Sequence, residues 1–182
     1  MGNKEGKLKE PEEGDNSLEA KLTRAATSGK FTFETLSSFD GTKLPTYVSV
    51  CGKVYDVSTS DNFATGSGSY AMWAGHDCTF ALATQSLEAE DANNLDWCMD
   101  DLEPQELLIL GAWSMYFAAK YKEVGTLEEL SKWNFNEAYE AARSNPTAMA
   151  GLQKLMEKKD EAPVAKPVEG SPAAADDGVR KI

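Results

Sequence analysis

Alternating apolar and polar positions mark the clearest regular structure in the chain. Residues 47–50 and 53–57 both alternate, as half-buried strands do, and only Cys51-Gly52 separates them. Such a two-residue connection predicts a β-hairpin. Cysteine tolerates the positive φ of a tight turn less well than asparagine does. We therefore expect Cys51 to strain the turn or to shift its type.

Short elements flank this hairpin. Phe31-Thr32-Phe33 has the pattern of a short strand, and one or two helical turns follow from Glu34 to Phe39, before Asp40-Gly41. Beyond the hairpin, the pattern predicts three short helices, at about residues 70–75, 77–85 and 87–92. Asp77 is expected to cap the second of them.

A long helix is predicted from Pro104, a favoured first-turn residue, to Gly125, a favoured stop. Spacing of three and four residues places four of its side chains on one face: Leu110, Trp113, Phe117 and Tyr121. A small sheet combined with pairs of helices indicates an α+β domain with a slot between the helix pairs.

The chain divides into four parts. Residues 1–29 are rich in Lys, Glu and Gly and are expected to be a disordered N-terminal tail. Residues 30–127 form the domain, and residues 160–182, rich in Pro, Ala and acidic side chains, form a flexible tail. Between them, 128–159 is a helical extension.

Two helices are expected in this extension, an amphipathic one ending at Arg143 and a second starting at Asn145-Pro146. Either both helices pack on the domain or the pair binds a partner.

Negative charge is concentrated in the domain. Residues 31–127 carry 4 basic and 14 acidic side chains, most of the net charge of −12. This balance argues against nucleic acid, whose binders carry basic patches, and against an anionic membrane surface. An acidic surface suits a basic protein partner, or it serves only to keep the domain in solution.

The remaining composition points to a reducing compartment. The three cysteines are an odd number, and residues 1–20 contain no apolar signal segment, so a cytoplasmic location is expected. No run approaches the ~18 apolar residues of a transmembrane segment. The start Met1-Gly2-Asn3 is like that of a myristoylation site, but Gly6 stands where Ser or Thr is required.

One segment carries candidate chemistry. Gly66 and Gly68 allow close backbone approach to a flat ligand, and Tyr70 just beyond them has an oxygen that can ligate ferric haem. Three motifs occur in order: Gly52-Lys-Val-Tyr-Asp-Val57, then Tyr70-Ala-Met-Trp-Ala-Gly-His-Asp77, then Lys120-Tyr121-x-x-Val-Gly125. With these motifs, about residues 31–127 resemble the membrane-associated progesterone receptor family, a branch of the cytochrome b5-like haem/steroid-binding domains.

The resemblance implies a cytochrome b5-like fold and five-coordinate ferric haem with Tyr70 as its axial ligand. It places Lys120 beside the haem, next to the ligand or to a propionate, and Tyr121 at the same edge. Asp77 matches the family's acidic residue, with a helix cap as its main role. His76 is the only histidine, so a clamp of two histidines within one chain is impossible.

One position departs from the family pattern. Where relatives have a second tyrosine that hydrogen-bonds the axial ligand, this chain has Ala64, and a more flexible Thr65-Gly-Ser-Gly-Ser69 loop follows. One lost hydrogen bond to a charged group corresponds to roughly 1.5–3 kcal/mol. The change weakens the expected haem site.

The resemblance favours a regulatory or carrier protein for haem, with sterol as a further ligand, rather than an enzyme. Its partners would be basic proteins such as haem mono-oxygenases, and stacked haems would allow a haem-mediated homodimer. A haem-free interaction module is the first alternative and a small electron carrier the second. His76 as an iron ligand is a weaker interpretation because it lies six residues past Tyr70. A zinc site formed by His76 and the cysteines is weaker because the gaps between them lack the spacing of a zinc motif.

Overall fold

A four-stranded mixed sheet organises the fold in this computed structural model, which describes residues 14–157. The strands are β1 (Lys30–Phe31), β2 (Tyr47–Val50), β3 (Lys53–Asp56) and β4 (Lys122–Leu127), in the spatial order β1-β4-β3-β2. β1 and β4 are parallel, and the other neighbours are antiparallel. The predicted hairpin is confirmed. Cys51 and Gly52 have φ of 51° and 73°, as a type I′ turn requires.

Six α-helices are seen in this part of the chain: α1 (Leu18–Ser28), α2 (Phe33–Leu36), α3 (Thr79–Thr84), α4 (Pro104–Lys120), α5 (Asn136–Arg143) and α6 (Pro146–Glu157). Short 3₁₀ turns occupy 61–63, 71–73, 89–91, 99–101 and 128–130. β1 is shorter than predicted because Thr32 caps α2, which brings Phe33 into the helix. With its sheet and helices, the domain has the predicted α+β class.

The predicted end of the long helix was wrong. α4 ends at Lys120, and β4 pairs with β1 on one side and with β3 on the other. Gly125 packs so closely against Gly29 that a Cβ at Gly125 would overlap the Gly29 carbonyl oxygen. Gly125 is therefore a site of strand contact and not a helix stop, since two long-range pairings override the local helical pattern.

The predicted disorder before the domain was wrong for residues 18–28. Ser17 caps α1 by accepting from the Ala20 N–H, and Gly29 ends the helix with φ of 68°. Ala20 and Ala25 are buried, so two small side chains form the face with which α1 packs. The low apolar content of this segment does not indicate that face. Residues 1–13, which include the myristoylation-like start, lie outside the described residues.

The extension after residue 127 also differs in detail. Residues 128–130 form a 3₁₀ turn, and α5 starts only at Asn136, whose N–H donates to Asn134 Oδ1. Ala138 and Ala142 of α5 are buried against α4 at Gly111, where an added Cβ would overlap the Ala138 carbonyl oxygen. α5 thus packs on the domain, as the first of the two alternatives held. The predicted tail at 160–182 lies outside the described residues.

Candidate ligand-binding site

An apolar cavity of about 250 Å³ lies between α3, α4 and α6, where the sequence predicts a slot between helices. Tyr70 and Trp73, which precede α3, form one wall. Trp113 and Tyr116 of α4 form a second wall, and Leu152 of α6 belongs to a third. We refer to this space as the Tyr70 cavity.

Tyr70 is held in this wall by its backbone and by ring stacking. Its N–H donates to the Asn62 carbonyl oxygen at 2.8 Å, and its side chain is 5% exposed. The 3₁₀ turn at 71–73 places Trp73 three positions on, on the same side. The two rings stack with centroids 4.8 Å apart and planes 1° apart. A tyrosine in an apolar cavity is the most distinctive chemical feature of the site.

The glycines before Tyr70 shape the loop that leads to it. The Gly68 N–H donates to the Ala64 carbonyl oxygen at 2.8 Å, and a Cβ at Gly68 would overlap the Asn62 carbonyl oxygen. Gly66 adopts φ of 80°, which favours glycine. Neither glycine lines the Tyr70 cavity. Their contact with a cofactor stays a prediction, and the role that the geometry supports is closure of the loop.

Aromatic contacts connect Tyr70 to the end of α4. Phe63 lies with its ring centroid 5.8 Å from that of Tyr70 and 6.3 Å from that of Tyr121. Lys120 Nζ lies 5.4 Å from the ring centroid of Tyr116 and 5.6 Å from that of Tyr121. The structure therefore brings Lys120 and Tyr121 to the aromatic cluster that includes Tyr70, although neither lines the cavity itself.

The ammonium of Lys120 is unusual in its surroundings. Its Nζ atom is buried and makes no hydrogen bond within residues 14–157. It lies over the rings of Tyr116 and Tyr121, and an anion would be a stronger partner. Burial raises the pKa of Tyr121, whereas the nearby charge of Lys120 acts to lower it. The positive charge of this cluster is available to an anionic group.

Asp77 is buried behind the cavity, at the start of α3. Its carboxylate accepts from the Thr79 N–H at 3.2 Å and from Thr79 Oγ1 at 2.8 Å. The N-cap of α3 is Cys78, so Asp77 lies one residue before the cap, not at it as predicted, and binds the first N–H of the helix. Burial raises the pKa of Asp77 to about 6. Asp77 does not line the cavity, so a direct contact with a ligand stays a prediction.

His76 is occupied by a hydrogen bond. Asn93 accepts from the Asp77 N–H with Oδ1, so its Nδ2 donates to His76 Nδ1 at 2.8 Å. Burial lowers the pKa of His76, which favours the neutral ring. His76 does not line the Tyr70 cavity. Within the described part of the chain, no three His, Cys, Asp or Glu side chains form a group that could hold a metal ion.

The role of α6 as a wall of the site is not predicted by the sequence. Ala148, Gly151 and Leu152 face the cavity, and their spacing of three and one residues marks one side of a helix. That spacing was visible in the sequence, but nothing in it indicated what the face would cover. Leu152 is 7% exposed, whereas Met156 on the same helix is 52% exposed.

α6 has few buried side chains among those that the structure describes. Full burial of a leucine contributes roughly 1.5–3 kcal/mol. Gly151 lies inside the helix with no atom within 4 Å of an added Cβ, and such a glycine costs roughly 0.5–1 kcal/mol relative to alanine. Few buried apolar contacts are typical of a segment of low local stability.

No helix within residues 14–157 combines the length and the apolar character needed to cross a bilayer.

Comparison with protein families identifies a match over most of this domain. A sequence model described as "Cytochrome b5-like Heme/Steroid binding domain" matches residues 32–140. That range includes Tyr70 and the first five residues of α5.

Three relatives support the same assignment. "Probable steroid-binding protein 3" of Arabidopsis thaliana is 38% identical over 98 residues, 53% of this chain and 95% of the relative. "Membrane-associated progesterone receptor component 2" of Rattus norvegicus is 32% identical over 132 residues, 70% of this chain and 60% of the relative. "Cytochrome P450 regulator dap1" of Schizosaccharomyces pombe is 35% identical over 98 residues, 50% of this chain and 58% of the relative. In relatives named membrane steroid-binding proteins, the match spans about half their length or less.

Proposed function

The chain belongs to the family of cytochrome b5-like haem/steroid-binding domains, and on that premise we propose that it binds ferric haem through the oxygen of Tyr70. In this proposal it serves as a regulatory or carrier protein and not as an enzyme. The observation that carries the proposal is a buried tyrosine in the wall of an apolar cavity. The names of its relatives include steroid-binding proteins and a regulator of cytochrome P450.

The donor groups suit a ferric tetrapyrrole. A free phenol has a pKa near ~10, and a bound metal ion drives such a ligand to its anion. When bound, haem would supply a ferric iron, and an anionic oxygen ligand lowers its reduction potential. Lys120, buried without a hydrogen bond among residues 14–157, would offset the negative charge of the phenolate or of a propionate.

The residues around the cavity suit haem, but the cavity is smaller than a typical ligand pocket. Ligand pockets typically measure roughly 300–1,000 Å³, and the Tyr70 cavity has about 250 Å³. The proposal therefore includes movement of one wall to admit a tetrapyrrole. Stacking of exposed haems in a homodimer would require the same opening.

The Tyr70 assignment is tested by titrating the full chain with ferric haem. We expect a charge-transfer band typical of phenolate ligation, and we expect Tyr70→Phe to remove it while circular dichroism stays unchanged. His76→Ala is the control and should leave the band intact. Haem binding with the same spectrum in Tyr70→Phe would overturn the assignment.

A basic protein partner follows from the charge of the domain. With 4 basic and 14 acidic side chains over 31–127, the domain favours a positively charged face, such as that of a haem mono-oxygenase. A sterol is the further ligand that the names of the relatives suggest.

A haem-free interaction module is the second candidate. It is favoured by the small cavity and by Ala64, which lacks the hydroxyl expected beside the ligand. Colourless protein after expression with added haem, together with no response in the titration, would support this candidate. A small electron carrier would instead require a reduction potential within reach of ordinary donors, which a measured potential tests.

A further inference from the structure

We propose that α6, through Leu152, is the specificity-determining element of the Tyr70 cavity. In the docked position α6 restricts the cavity to small apolar molecules, and ferric haem binds only when Leu152 leaves it. This inference rests on the proposed function, because it concerns access to the same Tyr70.

α6 forms one wall of the cavity that contains Tyr70. Ala148, Gly151 and Leu152 form the wall of the cavity contributed by α6, and Tyr70 and Trp73 belong to the same cavity. The cavity bounded in this way is partly open to solvent and has about 250 Å³, below the roughly 300–1,000 Å³ usual for ligand pockets. Movement of a wall admits a larger flat ligand, and α6 is the wall with the fewest buried side chains among the described residues.

Within residues 14–157, α6 buries fewer side chains than α4, which forms another wall. α4 is packed against α5 through Gly111, and its Ser114 Oγ donates to the Tyr139 hydroxyl at 2.9 Å. Leu152 is the one buried residue of α6 among those described, at 7% exposed, and Met149 packs only partly against the core. Gly151 weakens the helix further. α6 can therefore leave while α4 and α5 stay in place.

A short connection joins α6 to α5. Asn145 Oδ1 caps α6 by accepting from the N–H groups of Thr147 and Ala148, both at 3.0 Å. Ser144 and Asn145 alone separate α5 from α6. Rotation at these two residues moves α6 as a unit, with its cap intact.

The experiment compares ferric haem affinity in four forms of the full chain. Leu152→Ser removes the buried side chain that holds α6 in place, so a larger fraction of the protein is open. Because only the open fraction binds haem, the apparent affinity for haem should rise about tenfold or more. Met156→Ser removes an exposed side chain of the same helix and should change nothing. Gly151→Ala meets no atom within 4 Å and favours the helix, so it should weaken haem binding about three- to fivefold.

A second readout follows α6 directly. Hydrogen exchange of residues 146–157 should become faster when haem is added to the wild-type chain, while that of α4 should not. Leu152→Ser should show the faster exchange without haem. Circular dichroism and cooperative unfolding confirm that each variant is folded.

The outcomes are distinct. Weaker haem binding by Leu152→Ser would mean that α6 holds the ligand instead of excluding it. Equal affinities in all four forms, or no change in exchange, would overturn the inference and leave the proposed function standing. No haem binding by any form would overturn the proposed function and the inference with it.

Discussion

At the scale of single residues, the site depends on a loop of seven residues. Ala64 begins this loop and accepts from the Gly68 N–H, and Tyr70 ends it in the cavity wall. The loop conformation thus fixes where the Tyr70 ring lies. The side chain at position 64 decides whether the Tyr70 oxygen has a hydrogen-bond partner there. An alanine methyl supplies no hydrogen bond.

A hydroxyl restored at position 64 should strengthen the haem site. We expect Ala64→Tyr to tighten ferric haem binding about tenfold, the scale of one hydrogen bond to a charged oxygen. Ala64→Phe is the matched control, since it adds the same ring without the hydroxyl. Equal affinities of the Tyr and Phe variants in haem titrations would show that position 64 does not contact the ligand.

Asp77 should make stability depend on pH. Burial raises the pKa of its carboxyl from 3.8 to about 6, so between these values the folded state keeps a proton that the unfolded state releases. The contribution of Asp77 to stability is therefore full below pH 4, falls by about 3 kcal/mol as the pH rises to 6, and is constant above that. Thr79 and Ser49 act to lower this pKa, and Glu129 acts to raise it.

Urea unfolding of wild type and Asp77→Asn from pH 4 to pH 7 tests this prediction. Groups other than Asp77 cancel in the difference between the two proteins. That difference should shift in favour of Asp77→Asn as the pH rises. Parallel stability curves would show that the Asp77 carboxyl titrates normally.

At the scale of elements, one contact between helices decides which segments form the core. α4 and α5 approach at Gly111, where there is no room for a side chain. α6 approaches the same helix at the cavity with room to spare, since an added Cβ at Gly151 meets nothing within 4 Å. Gly111 is therefore required for the close packing of two helices, whereas packing does not require a glycine at position 151.

Alanine at these two positions should have opposite effects on stability. Gly111→Ala should destabilise the fold by about 1–3 kcal/mol, because α5 must shift to admit the methyl group. Gly151→Ala, the matched control, should stabilise α6 by about 0.5–1 kcal/mol. Chemical denaturation measures both, and destabilisation by both would mean that α6 also packs without free space.

At the scale of the whole molecule, the core crosses the predicted domain boundary at residue 127. Ala138 and Ala142 are buried, and Leu127, the last residue of β4, is buried as well. The family match likewise continues to residue 140. The boundaries at 29, 127 and 159 stay predictions, and the buried contacts of α5 favour a later end to the domain.

Truncation separates the core from its additions. Residues 30–159 should unfold cooperatively with a modest loss of stability, because α1 contributes two buried alanines and an exposed Lys21–Glu34 ion pair. Residues 14–127 should not fold cooperatively, because their α4 face is left without α5. Thermal unfolding of both proteins decides this, and a stable 14–127 fragment would show that α5 is an appendage.

The sequence by itself determined the features that depend on neighbours along the chain. The hairpin around Cys51-Gly52 and the start of α4 at Pro104 follow from turn chemistry and from the preference of proline for the first helical turn. The family assignment and the place of Tyr70 follow from motifs in order. These signals are local, so a single sequence contains them in full.

The tertiary structure alone decided where distant segments meet. Residues 122–125, which the sequence pattern placed in the long helix, belong to strand β4 because β1 and β3 offer hydrogen bonds on both sides of that strand. The tertiary structure also ordered α1 through buried alanines, and it placed α6 across the Tyr70 cavity. Local pattern shows that a segment has an apolar face but does not show which surface that face covers, since burial depends on partners far away in the chain.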